Sequence, residues 1–133
     1  MEIEKKIYLI CSVRNASEKE RKAQERYVRR LESLGHKVHY PPRDVDQKDE
    51  TGINICLAHK HAIGCSTEVR AIWNPESEGS VFDLGMAFRS YKTFYLANKR
   101  RVEKWLENHP GKSYTMVAYE LDKLSRRYNA SRD

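Results

Sequence analysis

Two hydrophobic periods alternate along this chain. Lys6 to Cys11, Lys-Ile-Tyr-Leu-Ile-Cys, is a compact apolar run after a charged start and predicts a buried strand. Ser12 to Ala16 follows as a polar loop. Ser17 and Glu20 form a capping box that opens a long helix, with Ala23, Tyr27, Leu31 and Leu34 on one face and Gly35 closing it. Lys37 to Tyr40 alternates as a second strand, which Pro41-Pro42 stops. Strand, helix and strand make a βαβ unit, and its right-handed crossover predicts a parallel sheet.

From Pro41 to Gly52 the chain is polar and aperiodic, the pattern of a longer mobile loop able to cover a site. Ile53 to Gly64 predicts a short helix with Ile53, Cys56, Leu57 and Ile63 inward, and it feeds a central strand from Val69 to Trp73 that Asn74-Pro75 ends. Ser80, three residues before Asp83, marks the start of a helix in which Val81, Leu84 and Phe88 recur. Thr93 to Ala97 is a fourth strand, Asn98 to Asn108 a basic segment with a helix holding Trp105 and Leu106, and His109-Pro110-Gly111 its end. Ser113 to Met116 leaves room for a fifth strand. Val117, Leu121, Leu124 and Tyr128 predict a last amphipathic helix, and residues 129–133 a flexible tail. The pattern as a whole predicts one α/β domain over residues 1–128.

Composition narrows the setting. A chain of 133 residues supports one core, and 39% hydrophobic with 33% charged residues is the balance of a globular domain. No apolar run approaches the roughly 18 residues of a membrane span, and Met1 to Lys6 lacks a signal-peptide core. Cys11, Cys56 and Cys65 are odd in number and include no Cys-x-x-Cys pair, which predicts reduced thiols and a cytoplasmic protein. The net charge of +6 favours an anionic partner. Bases alternate with acids, as in Lys19-Glu20-Arg21-Lys22, so most are solvated helix faces; a phosphorylated small molecule is expected rather than nucleic acid.

Candidate chemistry gathers at the carboxyl edge of the predicted sheet, where open α/β sheets bind ligands. Ser77, Gly79, Ser80 and Asp83 follow the central strand, and Ser12 and Arg14 follow the first, ahead of a helix start that favours anions. Asp83 has two readings: it caps the Ser80 helix start, or it does chemistry. Gly85 weighs toward the second, because a glycine inside a helix costs about 1 kcal/mol against alanine and suggests close approach of backbone or ligand. Arg14 has a fork suited to phosphate, or is a solvated loop residue. Cys56, His59, His61 and Cys65 are side chains zinc accepts, but on a helix His61 and Cys65 point away from Cys56 and His59, so no metal site is expected. Nothing calls for a redox cofactor.

The run Ile7-Tyr8-Leu9-Ile10-Cys11-Ser12-Val13-Arg14, followed by a long charged helix, and the motif from Ser77 through Gly79-Ser80-Val81-Phe82-Asp83-Leu84-Gly85-Met86-Ala87 resemble the nucleoside 2-deoxyribosyltransferase-like family. The nearest branch is the 2'-deoxynucleoside 5'-monophosphate N-glycosidases. The resemblance covers roughly Lys6 to Ala97. It implies a flavodoxin-like (Rossmann-like) three-layer sandwich with a four- or five-stranded parallel sheet and a site often completed by a neighbouring subunit. The small domain and aromatics such as Tyr91 and Trp105 also point to a homodimer or larger homo-oligomer. It further implies cleavage of the N-glycosidic bond of a nucleoside or nucleotide, a carboxylate attacking the anomeric carbon before the sugar passes to water or another base. By position Asp83 matches the nucleophile, Tyr8 the aromatic hydroxyl beside it, His59 the acid that assists the leaving base, and Ser12, Arg14, Ser77 and Gly79, with Ser80 adjoining, the loops that hold the sugar phosphate. The family usually carries glutamate at the position of Asp83 and aspartate at that of His59. A module of this fold that binds a nucleotide without cleaving it is the other reading.

Overall fold

The computed structural model describes residues 3–132. One sheet of four parallel strands has the order β2-β1-β3-β4: β1 (Lys6–Ile10), β2 (Lys37–His39), β3 (Glu68–Ala71) and β4 (Thr93–Leu96). Helix α1 (Glu18–Ser33) links β1 to β2, α2 (Pro41–Asp44) and α3 (Ile53–Cys65) lead to β3, and α4 (Glu78–Arg89) joins β3 to β4. Helices α5 (Lys99–Asn108) and α6 (Tyr114–Arg132) close the chain. This is the expected flavodoxin-like α/β architecture, with all three strand pairs parallel. No helix among the described residues is long and apolar enough to cross a membrane.

Strand alternation sorts the core into two layers. Ile7 and Leu9 of β1 and Val38 of β2 pack against Val28 and Leu31 of α1. Tyr8 and Ile10 share the opposite face with Val69, Ala71, Phe94 and Leu96, covered by Ile63 of α3 and by Leu84 and Ala87 of α4. The capping box at Ser17 and Glu20 forms in both directions. The inward stripe of α1 is Gln24, Val28 and Leu31 rather than one ending at Leu34, which is exposed at the C-cap.

The fifth strand does not form. Residues 114–116 belong to α6, and side chains of that helix complete the edge of β4 instead. Ser125 Oγ accepts from the Phe94 amide at 2.9 Å and Asp122 Oδ2 from the Leu96 amide at 2.7 Å. Both donors would otherwise be the open edge of the sheet, a template for unwanted pairing. This role turns Thr115, Ala118 and Asp122 inward and leaves Val117, Leu124 and Tyr128 outward, opposite to the apolar periodicity. Helix α6 also runs on through Arg132, past the end expected at Tyr128, and Asp133 lies outside the described residues.

Two further expectations shift. Pro41-Pro42 opens the short helix α2 rather than a long loop, because proline suits a first helical turn, and Asp44 Oδ2 accepts from the Tyr40 amide at 2.8 Å. In α3, His59 and Ile63 face the core while Ile53 and Leu57 are exposed.

Candidate functional site

Strands β1 and β2 and helices α3 and α4 converge on one carboxylate. Tyr8 lies mid-strand on the face covered by α3 and α4 and has no solvent exposure. Its hydroxyl donates to Asp83 Oδ2 at 2.8 Å. His59 on α3 meets the same carboxylate, with Nδ1 3.1 Å from Oδ1. A carboxylate oxygen offers only lone pairs, so Nδ1 carries the hydrogen, and in the neutral ring Nε2 is a bare acceptor. His39 of β2 is in register with Tyr8 and stacks on it, ring centroids 5.3 Å apart and planes 12° from parallel. His59 approaches the same ring edge-on at 5.9 Å.

Burial dominates the electrostatics. It raises the Tyr8 hydroxyl far above the usual range for tyrosine, and the Asp83 charge adds to the shift, so Tyr8 is a permanent donor. The Cys11 thiol is pushed up to about 12, first by burial and then by Asp83. His39 is held below the ordinary histidine value by burial, with His59 and Arg43 acting in the same direction and Asp44 and Asp83 against it. Asp83 itself is 5% exposed and His59 9%.

The capping reading of Asp83 does not survive this geometry. The N-cap of α4 is Ser77, whose Oγ accepts from the Ser80 amide at 3.2 Å, so the helix begins at Glu78 and Asp83 lies in its second turn. Both carboxylate oxygens are engaged by Tyr8 and His59 instead of by the helix start. Buried Ser80, Asp83, Leu84 and Ala87 form the inward stripe of α4. Gly85 is on the solvent side, where a Cβ would meet nothing within 4 Å, and Gly79 is equally open; no close approach within the chain explains either glycine.

The residues expected to hold phosphate separate into different surroundings. Ser12 is buried; its Oγ accepts from Asn74 Nδ2 at 3.1 Å and its carbonyl from Gln24 Nε2 at 2.9 Å, which pins the loop after β1 to the loop after β3. Ser77 caps α4, Ser80 is fully buried below it, and Arg14 is exposed in the β1–α1 loop. A cavity of about 480 Å³ opens between α1 and α5, lined by Ser12, Gln24, Trp73, Asn74, Arg101 and Trp105 among others. Tyr8, His59 and Asp83 do not line it. His61 and Cys65 lie 3.6 Å apart on the exposed side of α3, away from His59, and among the described residues no three His, Cys, Asp or Glu side chains gather as metal ligands.

Three buried side-chain atoms among the described residues have no hydrogen-bond partner: His59 Nε2, His39 Nε2 and Ser80 Oγ. His59 is bonded to Asp83, His39 is stacked on the tyrosine bonded to Asp83, and Ser80 lies one turn before it on the same buried stripe. His39, Asn74 and Cys11 were not legible as site residues from motifs. His39 is recoverable from strand parity alone, since β2 places it beside Tyr8. No protein-family model matches the chain, and no curated protein matches it.

Proposed function

We propose that the chain cleaves the N-glycosidic bond of a nucleoside 5'-monophosphate, in the manner of the nucleoside 2-deoxyribosyltransferase-like proteins its motifs resemble. Asp83, His59 and Tyr8 form the reacting end, and Arg14 of the β1–α1 loop with Ser77 and Gly79 at the start of α4 the end that receives the sugar phosphate, Ser12 and buried Ser80 supporting those two segments from within. The observation that carries this reading is the clustering of unpartnered buried polar atoms around Asp83. Native interiors pair nearly all such atoms, and each one left over calls for an explanation, a catalytic role and a bound water or ion being among the recurrent ones. The resemblance gives the attack on the anomeric carbon to the Asp83 carboxylate. Three free cysteines and a net charge of +6 suit a cytoplasmic protein with a phosphorylated substrate.

The deciding experiment is chromatographic detection of free nucleobase from a panel of nucleosides, deoxynucleosides and their 5'-monophosphates, with Asp83→Ala beside the parent protein. Release by the parent alone supports the reading; release by neither defeats it. One observation favours the second reading, a nucleotide-binding module without turnover: Asp83 is nearly inaccessible. Saturable monophosphate binding without base release would establish that module instead.

The working form is proposed to be a homodimer through α3 and α4. Ile53 and Leu57 of α3 and Phe82 of α4 are exposed on the two helices that carry His59 and Asp83. Light scattering should give twice the 15.7 kDa chain mass, falling to one chain in Leu57→Arg.

A further inference from the structure

We propose that His59, not Asp83, meets the reacting atoms: His59 Nε2 is the general base that activates water against the anomeric carbon, and Asp83 is the residue that positions it. The inference rests on the glycosidic reading above and reassigns the roles within it.

Three features of the geometry carry the assignment. Both Asp83 oxygens already accept hydrogen bonds from the protein, at 2.8 Å from Tyr8 and 3.1 Å from His59. An attacking carboxylate must bring one oxygen to within about 3.5 Å of carbon, which a side chain already bonded at both oxygens is poorly placed to do. Secondly, the bond to Asp83 fixes the His59 tautomer, with hydrogen on Nδ1 and the lone pair on Nε2. That lone pair is buried and without a partner. Thirdly, Asp83 is a methylene shorter than glutamate. A shorter acid is withdrawn from a substrate, and the imidazole bonded to it through Nδ1 places a basic nitrogen on the far side of the ring from the carboxylate. Carboxylate, imidazole and an unpaired distal nitrogen make a dyad in which the acid orients and the ring transfers the proton.

The step balances without a cofactor. A water oxygen bonds to C1' as the C1'–N bond breaks, and the pair of electrons in that bond leaves with the nucleobase. The water proton passes to His59 Nε2, and the resulting imidazolium returns a proton to the departing base or to solvent. The Asp83 carboxylate stabilises the imidazolium, and the Tyr8 hydroxyl fixes the carboxylate. Because one displacement replaces two, the configuration at C1' inverts, and no sugar ester exists for a second nucleobase to intercept.

The experiment is base release from 2'-deoxynucleoside 5'-monophosphates in buffer containing methanol, with the anomer of the methyl glycoside assigned by NMR. The methyl glycoside does not mutarotate, so it records the stereochemistry of attack. Inverted α-methyl product from the parent protein, and no sugar adduct on Asp83 by mass spectrometry of quenched enzyme, are expected. His59→Asn keeps an amide donor toward Asp83 and removes the base; its kcat should fall at least about a hundredfold with KM little changed, the usual size of a general-base contribution. Added imidazole should restore part of the rate to His59→Ala. Asp83→Asn should likewise lower kcat far more than it raises KM. Retained β-methyl product, a trapped Asp83 adduct, or His59→Asn activity within a few-fold of the parent overturns the role of His59 while leaving the glycosidic reading intact. Absence of base release from every substrate overturns both.

Discussion

Tyr8→Phe removes one hydrogen-bond donor from the centre of the candidate site and almost no volume. Tyr8 has no solvent exposure, and its hydroxyl reaches Asp83 Oδ2 at 2.8 Å. A hydrogen bond to a charged group contributes about 1.5–3 kcal/mol, and here the acceptor stays behind, buried and short of a partner. With an unfolding entropy of about 2.1 cal/mol/K per residue, a chain of 133 residues has roughly 0.28 kcal/mol/K, so the loss corresponds to a Tm lowered by about 5–11 °C. Differential scanning calorimetry at neutral pH, paired with urea denaturation, measures it. The coupling can be isolated with Asp83→Ala: once the carboxylate is gone, Tyr8→Phe should cost well under 1 kcal/mol, so the two changes together should destabilise by less than the sum of their separate effects. A Tyr8→Phe protein within about 0.5 kcal/mol of the parent, or a double variant that is simply additive, would refute the network as the anchor of Asp83.

Four other outcomes are expected. His39 has a depressed folded-state affinity for protons, so the unfolded chain binds the extra proton first and stability is lost as pH falls through the ordinary histidine range near 6.5. His39→Gln should therefore flatten the decline of stability between pH 7.5 and 5.5, by a fraction of the roughly 1.4 kcal/mol per pH unit that one proton can supply, since the ring is only half-buried. With Ellman's reagent at pH 8, exposed Cys65 should react first, and Cys11, protonated below about 12, only after denaturation. Asp122→Ala strands the Leu96 amide and takes the buried partner from Arg126, and should destabilise by about 3–5 kcal/mol in urea; a loss under about 1 kcal/mol would show that α6 does not hold the β4 edge. Asp83→Glu forces a methylene into a filled site for about 1–3 kcal/mol of destabilisation and should lower any glycosidase activity, whereas a gain would return the attack to the carboxylate.

The sheet was legible because its strands are short apolar runs bounded by turn residues, a signal that survives without knowledge of the partner strands. Helix faces were less so. The apolar stripe Val117, Leu121, Leu124 and Tyr128 is a genuine helical pattern, yet the helix keeps only Leu121 against the core and turns the other three outward. What decides the rotation of α6 is a demand from elsewhere in the chain: two amides on the free side of β4 need acceptors, and Asp122 and Ser125 supply them. A buried aspartate inside a helix reads as polar surface until the edge it serves is known. In α3 the same inversion leaves Ile53 and Leu57 outside while His59 goes in.

At the site the difference lay in helix phase. Ser77 and Ser80 both precede an acidic helix, and the spacing of Ser80 from Asp83 is that of a capping box, so local sequence alone favours an aspartate that serves its own helix. Moving the cap three residues earlier, to Ser77, converts Asp83 from a terminal residue into an interior one, and an interior carboxylate must find donors across the core. Tyr8 and His59 are the donors, 75 and 24 residues away in the chain. No window of sequence contains that pairing, but strand parity contains half of it. In β1 the inward residues toward α3 and α4 are Tyr8 and Ile10, and a polar hydroxyl there implies a buried acceptor. The β2 register then adds His39 to the same face. On the helices that cover this face, α3 and α4, His59 and Asp83 are the acidic or histidine side chains that are buried, and the Tyr8 hydroxyl takes its partner from that pair.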